Sequence, residues 1–117
     1  MNFKEYGIIA VDFDGTLCTD CYPKIGAPNL RLIYILKELQ KKGTRLILWT
    51  CRCREPLAEA LRWCASYGLT FDAVNENLPE ILEKYGSDSR KIFADIYIDD
   101  RGCSDFTFSE FEEEIAV

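Results

Sequence analysis

Ile8-Ile9-Ala10-Val11-Asp12-Phe13-Asp14-Gly15-Thr16 is the stretch on which the fold turns. Residues 8–11 are apolar without alternation, which predicts a strand buried on both faces, as in a parallel sheet. The run ends abruptly in two carboxylates. Asp12 and Asp14 stand two apart, so while the strand lasts their side chains share a face. Gly15 then permits a sharp turn. By itself an Asp-Gly pair is an ordinary strand-ending turn. Ligands of open α/β sheets, however, bind just beyond the carboxyl ends of the strands, and two acids there point to a metal and a reaction.

Outward from this stretch the chain alternates. Tyr6 to Phe13 reads as the first strand, and Leu17 to Pro28 as a loop broken by Pro23, Gly26 and Pro28. Asn29 suits the cap of a helix running to about Lys42, with Leu30, Ile33, Tyr34, Ile35 and Leu36 as its apolar side and Gly43 as its stop. Arg45 to Thr50 is a second buried strand. Pro56 and Gly68 frame a helix over 55–67, in which Leu57, Leu61, Cys64 and Ala65 fall at helical spacing. Phe71 to Val74 makes a short strand, Pro79 to Tyr85 a short helix closed by Gly86, and Ile92 to Ile98 a fourth strand ending at Asp99-Asp100-Arg101. From Ser109, with Glu112 completing a capping box, a last helix is expected, its acidic run a solvated face. Alternating strands and helices predict an α/β fold with a parallel sheet and right-handed crossovers.

The 117 residues suffice for one core and one domain, and no repeat, linker or low-complexity segment divides them. A hydrophobic fraction of 48% with 29% charged residues fits a soluble globular chain. Fourteen basic against 20 acidic residues give a net charge of -6, which argues against a non-specific grip on nucleic acid or an anionic membrane. No apolar run reaches membrane-spanning length, and Met1 to Glu5 lack the plan of a signal peptide, so a cytoplasmic location is expected. The chain has no histidine. Ser-His-Asp and Cys-His catalysis and His-based metal sites are thereby excluded, and acid–base work falls to Asp, Glu, Lys, Tyr or Cys.

The polar residues fall in a pattern on this scheme. Strand one ends in Asp12-x-Asp14, strand two in Thr50 and strand four in Asp99-Asp100. All lie at carboxyl ends, so in a parallel sheet they converge on one edge.

With these residues in view, the chain resembles the haloacid dehalogenase superfamily of phosphohydrolases. Asp12-Phe13-Asp14-Gly15-Thr16, Thr50 at the end of Leu46-Ile47-Leu48-Trp49, Lys91, and Asp99-Asp100 carry the match, in an order that covers roughly residues 6 to 101. More closely it is similar to the small, capless, phage-like branch, through Tyr22-Pro23-Lys24-Ile25-Gly26, Leu48-Trp49-Thr50-Cys51-Arg52, Phe71-Asp72-Ala73-Val74-Asn75 and Lys91 to Arg101. The resemblance implies a three-layer, Rossmann-like parallel sheet of about four to five strands flanked by helices. It implies a Mg²⁺-dependent phosphatase working through an aspartyl-phosphate: Asp12 as nucleophile, Asp14 as general acid and then base. Mg²⁺ would be held by the Asp12 carboxylate, the Asp14 carbonyl and Asp99, with Asp100 binding through water or orienting its neighbour. Thr50 would hydrogen-bond a phosphoryl oxygen and Lys91 neutralise its charge. Lys91 is preferred to Lys84 because it leads directly into the strand that carries Asp99. Adjacent acids such as Asp99 and Asp100 repel and fit better beside a cation than in a plain turn.

Arg52, Arg54 and Arg101 flank the same edge and could help hold a phosphorylated substrate, but surface charges or weak salt bridges are the simplest reading. Of six cysteines, at 18, 21, 51, 53, 64 and 103, Cys64 lies on an apolar helix face and is expected in the core. Cys18-x-x-Cys21 and Cys51-x-Cys53 follow converging strands and supply four thiols, enough for zinc. Cys51-x-Cys53 is tighter than usual zinc spacing, so unpaired thiols are expected ahead of a zinc site or disulfides.

Residues 17–28 and 75–84 are too short to hold a cap domain. An open site suits a large phosphorylated substrate, such as a phosphoprotein or a nucleic-acid end, or a small one covered by a second subunit of a homo-oligomer; the acidic balance disfavours nucleic acid. Two other readings are weighed: an idle phosphate- or metal-binding module with a regulatory or assembly role, and a signalling receiver domain. The receiver needs an acid pair after the first strand and a separate phospho-accepting Asp before the Thr. Here the second acid pair follows Thr50 and Lys91, so the order is wrong.

Overall fold

Ile8–Val11 forms β1 with all four residues buried, as its unbroken apolar run requires. The structure is a computed structural model that describes residues 7–79 and 94–99. β1 is followed by β2 (Cys18–Cys21), β3 (Lys24–Pro28), α1 (Leu30–Lys41), β4 (Arg45–Leu48), α2 (Arg54–Ser66), β5 (Ala73–Val74) and β6 (Ile96–Ile98). Four strands form a parallel sheet in the order β5-β4-β1-β6.

The register decides where the site lies. Val11 stands opposite Leu48 on one side and Ile98 on the other, and Leu48 opposite Val74. The carboxyl ends are therefore level. One residue further on, the ladder continues: the Asp12 N–H donates to the Ile98 carbonyl (2.9 Å), Trp49 to Val11 (2.8 Å) and Asn75 to Leu48 (2.8 Å). Asn75, Trp49, Asp12 and Asp99 thus follow one another across a single edge.

At the opposite edge two aspartates fix the starts of neighbouring strands. Asp95 Oδ2 accepts from the Ile8 N–H and Asp72 Oδ2 from the Leu46 N–H, both at 2.8 Å. The N–H groups of Asp95 and Asp72 return bonds to the Ile8 and Leu46 carbonyls, also at 2.8 Å. Otherwise solvated donors are closed off, and register is pinned.

Alternation in the strands splits the core. Ile9, Val11, Leu46 and Leu48 join Leu32, Ile33, Ile35, Leu36 and Leu39 of α1 and Ala60 and Cys64 of α2 in one cluster. Ile8, Ala10, Ile47, Ala73 and Leu78 form the other, with Ala94 and Tyr97 against it. Both described helices pack on the same face. Burial of each large aliphatic side chain contributes about 1.5–3 kcal/mol.

α1 is capped as expected: Asn29 Oδ1 accepts the Leu32 N–H at 3.2 Å, and Gly43 follows the helix at φ 105°. Its inner side differs from the expected one, since Leu30 and Tyr34 are exposed and Leu32 and Leu39 are buried in their place. On α2, Cys64 is buried with Ala60, Leu57 and Leu61 are half-buried, and Ala65 is exposed. The strands are shorter than expected at their ends, where backbone pairing gives way to loop.

Residues 17–28 correct the expectation of a loop. β2 and β3 pair antiparallel, with Cys18 opposite Pro28, Asp20 opposite Ile25 and Cys21 opposite Lys24, and a register shift between Cys18 and Asp20. The breakers sit where a short hairpin tolerates them: Pro23 in the turn, Pro28 at the strand end. Gly26 is required by contact, because a Cβ there would strike the Thr19 hydroxyl and carbonyl. That close approach lets Thr19 Oγ1 accept the Ala27 N–H at 2.9 Å. The helix expected at 79–85 beyond its first residue, the helix expected from Ser109, and the first part of the strand expected from Ile92 fall on positions outside the described residues. Among the described residues no helix is long and apolar enough to cross a membrane.

Candidate functional site

The strand ends, brought level by the register, open onto a cleft of about 270 Å³ lined by Asp12, Trp49, Thr50, Cys51 and Asp99. Three residues singled out from sequence therefore meet in space. Lys91, its competitor Lys84, Asp100 and Arg101 lie outside the described residues.

Thr50 is held from two sides. Its N–H donates to Asn75 Oδ1 at 2.7 Å, and its Oγ1 accepts the Arg52 N–H at 3.1 Å. With one lone pair engaged, the hydroxyl retains its proton as a donor. Asn75 reaches Thr50 from the left-handed region, at φ 54°, which Asn tolerates better than most residues. Trp49 forms the apolar wall, 43% exposed, in an edge-type ring contact with Tyr97 at 5.7 Å between centroids.

The Asp14 carboxylate is engaged by a side chain from beyond β4. β1 ends at Val11, before either acid, so strand alternation does not reach Asp14. A tight turn intervenes: the Thr16 and Leu17 N–H groups both donate to the Phe13 carbonyl (3.1 and 2.9 Å), and Gly15 sits at φ 81°. The turn carries the Asp14 carboxylate to Arg52. Arg52 Nε donates to Asp14 Oδ2 and Nη2 to Oδ1, each at 2.8 Å, a bidentate ion pair.

Arg52 corrects the expectation of a surface charge, for it is 2% exposed. Its remaining donors reach the carbonyls of Pro23 (3.3 Å), Lys24 (3.1 Å) and Pro56 (3.3 Å). Its guanidinium lies over the rings of Phe13 (4.9 Å) and Tyr22 (5.1 Å). The Asp14 hydrogen bonds push the Arg52 pKa up against burial, which acts the other way. Removing one partner of such a buried pair costs about 3–5 kcal/mol. Sequence reasoning placed Arg52 beside this edge but missed its burial and its pair with Asp14, and it gave Asn75 no contact with Thr50. The available signal was position: Asn75 follows the end of β5 by one residue and Arg52 the end of β4 by four, on the edge that carries Thr50.

Magnesium, which the family resemblance implies, fits what this edge offers. Asp12 and Asp99 supply hard carboxylate oxygens to one cleft, and Mg²⁺ is commonly bound through one or two carboxylates while keeping several waters. Among the described residues no third His, Cys, Asp or Glu joins such a group, and the Asp14 carboxylate is turned to Arg52. Cys18, Cys21, Cys51 and Cys53 likewise form no cluster of three or more possible ligands.

Burial divides the thiols. Cys18 and Cys64 are buried, whereas Cys21, Cys51 and Cys53 are exposed. Desolvation pushes the Cys64 thiol up to about 12 and raises that of Cys18. The thiolate is the reactive form, so a raised pKa slows attack. Iodoacetamide at neutral pH is expected to alkylate Cys21, Cys51 and Cys53 in the folded chain, and Cys18 and Cys64 only after denaturation, as read by peptide mass spectrometry. Labelling of Cys64 in step with Cys21 would contradict this arrangement.

A solved structure of a conserved protein coded by a locus of Bacteroides thetaiotaomicron is similar to this chain. The two are 42% identical, the match covers 92% of this chain and 90% of that one, and the TM-score is 0.77. No family model and no curated protein matches the chain.

Proposed function

We propose that this chain, which belongs to one family with that conserved Bacteroides thetaiotaomicron protein, is a Mg²⁺-dependent phosphomonoester hydrolase with a three-layer, Rossmann-like fold. The observation that carries the proposal is the meeting of Asp12, Thr50 and Asp99 in one cleft at the carboxyl edge of a parallel sheet. A substrate phosphate is dianionic, so carboxylates serve it only where cationic charge offsets the repulsion. Bound through Asp12 and Asp99, with Asp100 and the Asp14 carbonyl as further oxygen donors, Mg²⁺ would supply that charge.

The residues divide the work. Asp12 attacks phosphorus and becomes an aspartyl-phosphate as the ester oxygen leaves. Asp14 gives a proton to the departing oxygen, then takes one from the water that cleaves the acyl phosphate and restores Asp12. Thr50, its hydroxyl oriented by the Arg52 N–H, donates to a phosphoryl oxygen. Lys91 places a positive charge on the same group.

A second reading, the idle phosphate- or metal-binding module, is favoured by one observation: the Asp14 carboxylate is already engaged by Arg52. Release of phosphate from p-nitrophenyl phosphate separates the two. The wild type is expected to turn over with Mg²⁺ and to stop in EDTA. Absence of turnover across a panel of phosphate esters, together with Mg²⁺-dependent formation of a beryllofluoride adduct, would favour the module.

A further inference from the structure

We propose that Arg52 is a positioning residue that locks the Asp14 carboxylate to the β2–β3 hairpin, so that the geometry of the acid–base group and the order of the hairpin rise and fall together. The catalytic half rests on the hydrolase reading above; the mechanical half does not.

Two sets of Arg52 contacts tie the Asp14 side chain to the hairpin turn, at the far end from the backbone link that the Gly15 N–H makes to the Cys18 carbonyl (2.9 Å). One set is the Asp14 carboxylate, gripped by Nε and Nη2 at 2.8 Å. The other is the hairpin turn: the Pro23 carbonyl on Nη1, the Lys24 carbonyl on Nη2 and the Tyr22 ring over the guanidinium. The Pro56 carbonyl and the Phe13 ring hold the same group from α2 and from the turn after β1. A planar fork with five donors satisfies all of these at once, which an ammonium on a flexible stem does not. An arginine this deeply buried is stable only with its charge paired and its donors used.

The arrangement suits a group that must accept a proton in a fixed direction. An ionised carboxylate has about four acceptor positions, and the two N–H bonds of Arg52 use one on each oxygen. The remaining positions can accept from a water and, once one is protonated, donate to a leaving oxygen. Because both oxygens are fixed, the carboxylate plane cannot rotate without breaking a charge-assisted bond. The hairpin is held by the same fork.

The test compares wild type, Arg52→Lys, Asp14→Asn and the double variant by amide hydrogen exchange over residues 18–28 and by steady-state kinetics with p-nitrophenyl phosphate. Asn at position 14 sets an NH₂ against an Arg52 donor and forfeits one of the two bonds. Exchange in the hairpin is therefore expected to rise about tenfold in Asp14→Asn, although Asp14 lies outside the hairpin, and at least as much in Arg52→Lys. In Arg52→Lys, kcat is expected to fall by about 10²-fold with KM within about threefold. In an Asp14→Asn background the same change is expected to lower kcat no further.

Wild-type exchange in Asp14→Asn would overturn the proposal, since Arg52 would then prop the hairpin independently of Asp14. So would an unchanged kcat in Arg52→Lys, or a full additional loss in the double variant. A wild type without phosphatase activity would remove the hydrolase reading alone, because the exchange comparison decides the coupling without turnover. Asp14→Asn leaves Arg52 in place and still reports if Arg52→Lys fails to fold.

Discussion

Asp12→Asn is expected to abolish phosphate release and to leave the fold as stable as that of the wild type. The substitution is nearly isosteric and exchanges a carboxylate for an amide that is no nucleophile toward phosphorus. Losing a nucleophile outright has cost about 10⁶-fold in kcat in a well-dissected hydrolase, so a fall of at least about 10⁴-fold is expected here. The fold has no reason to suffer. Asp12 contributes its N–H to the Ile98 carbonyl, a bond that Asn preserves, and its side chain lines a cleft rather than the core. Two carboxylates on one cleft repel, so in EDTA the variant is expected to melt at or slightly above the wild-type temperature. Retention of more than about one per cent of wild-type turnover would place the nucleophile elsewhere. A melting temperature more than about 5 °C lower would mean that Asp12 supports the fold.

How legible the molecule was depends on how local each cause is. The apolar run 8–11, the Asn29 cap and the strand Arg45–Leu48 follow from pattern and chemistry within a few residues, and both strands lie inside the longer spans expected for them. The convergence of Asp12, Thr50 and Asp99 was legible for a different reason. Parallel strands share one carboxyl edge, so three strand-end residues meet without any side-chain detail being known.

What escaped is non-local. Arg52 looks like a surface charge because a loop arginine usually is one; its burial depends on Asp14, thirty-eight positions earlier, and on three carbonyls. The hairpin escaped because proline and glycine were read as breakers, although Gly26 is there to let two strands approach. Strand parity applies to Asp12 and Asp14 only while the strand lasts, and β1 stops at Val11. Asp14, Arg52 and the hairpin are one structural unit, and local patterning cannot see it.

Asp99→Asn is expected to produce a loss of a different kind from Asp12→Asn, and the difference tests the assignment of roles. If Asp99 holds Mg²⁺ without reacting, its replacement weakens the cation and spares the nucleophile. An amide oxygen remains as a possible ligand, but one of the two carboxylate charges on the cleft is gone. Changes in the shell that only supports a metal's ligands typically cost 10–100-fold in affinity, so removing a charged ligand is expected to raise the Mg²⁺ needed for half-maximal rate by about 100-fold. At saturating Mg²⁺ the rate is then expected to return to within about tenfold of wild type, which no concentration achieves for Asp12→Asn. A second readout needs no substrate. A ligand present at 100 times its dissociation constant stabilises the folded state by about 2.7 kcal/mol. Mg²⁺ at that level is therefore expected to raise the wild-type melting temperature, and the same concentration to shift Asp99→Asn by less than half as much. An unaltered Mg²⁺ requirement would remove Asp99 from the metal site. Failure to recover at any Mg²⁺ concentration, with the fold intact, would instead place Asp99 in direct contact with the reacting phosphate.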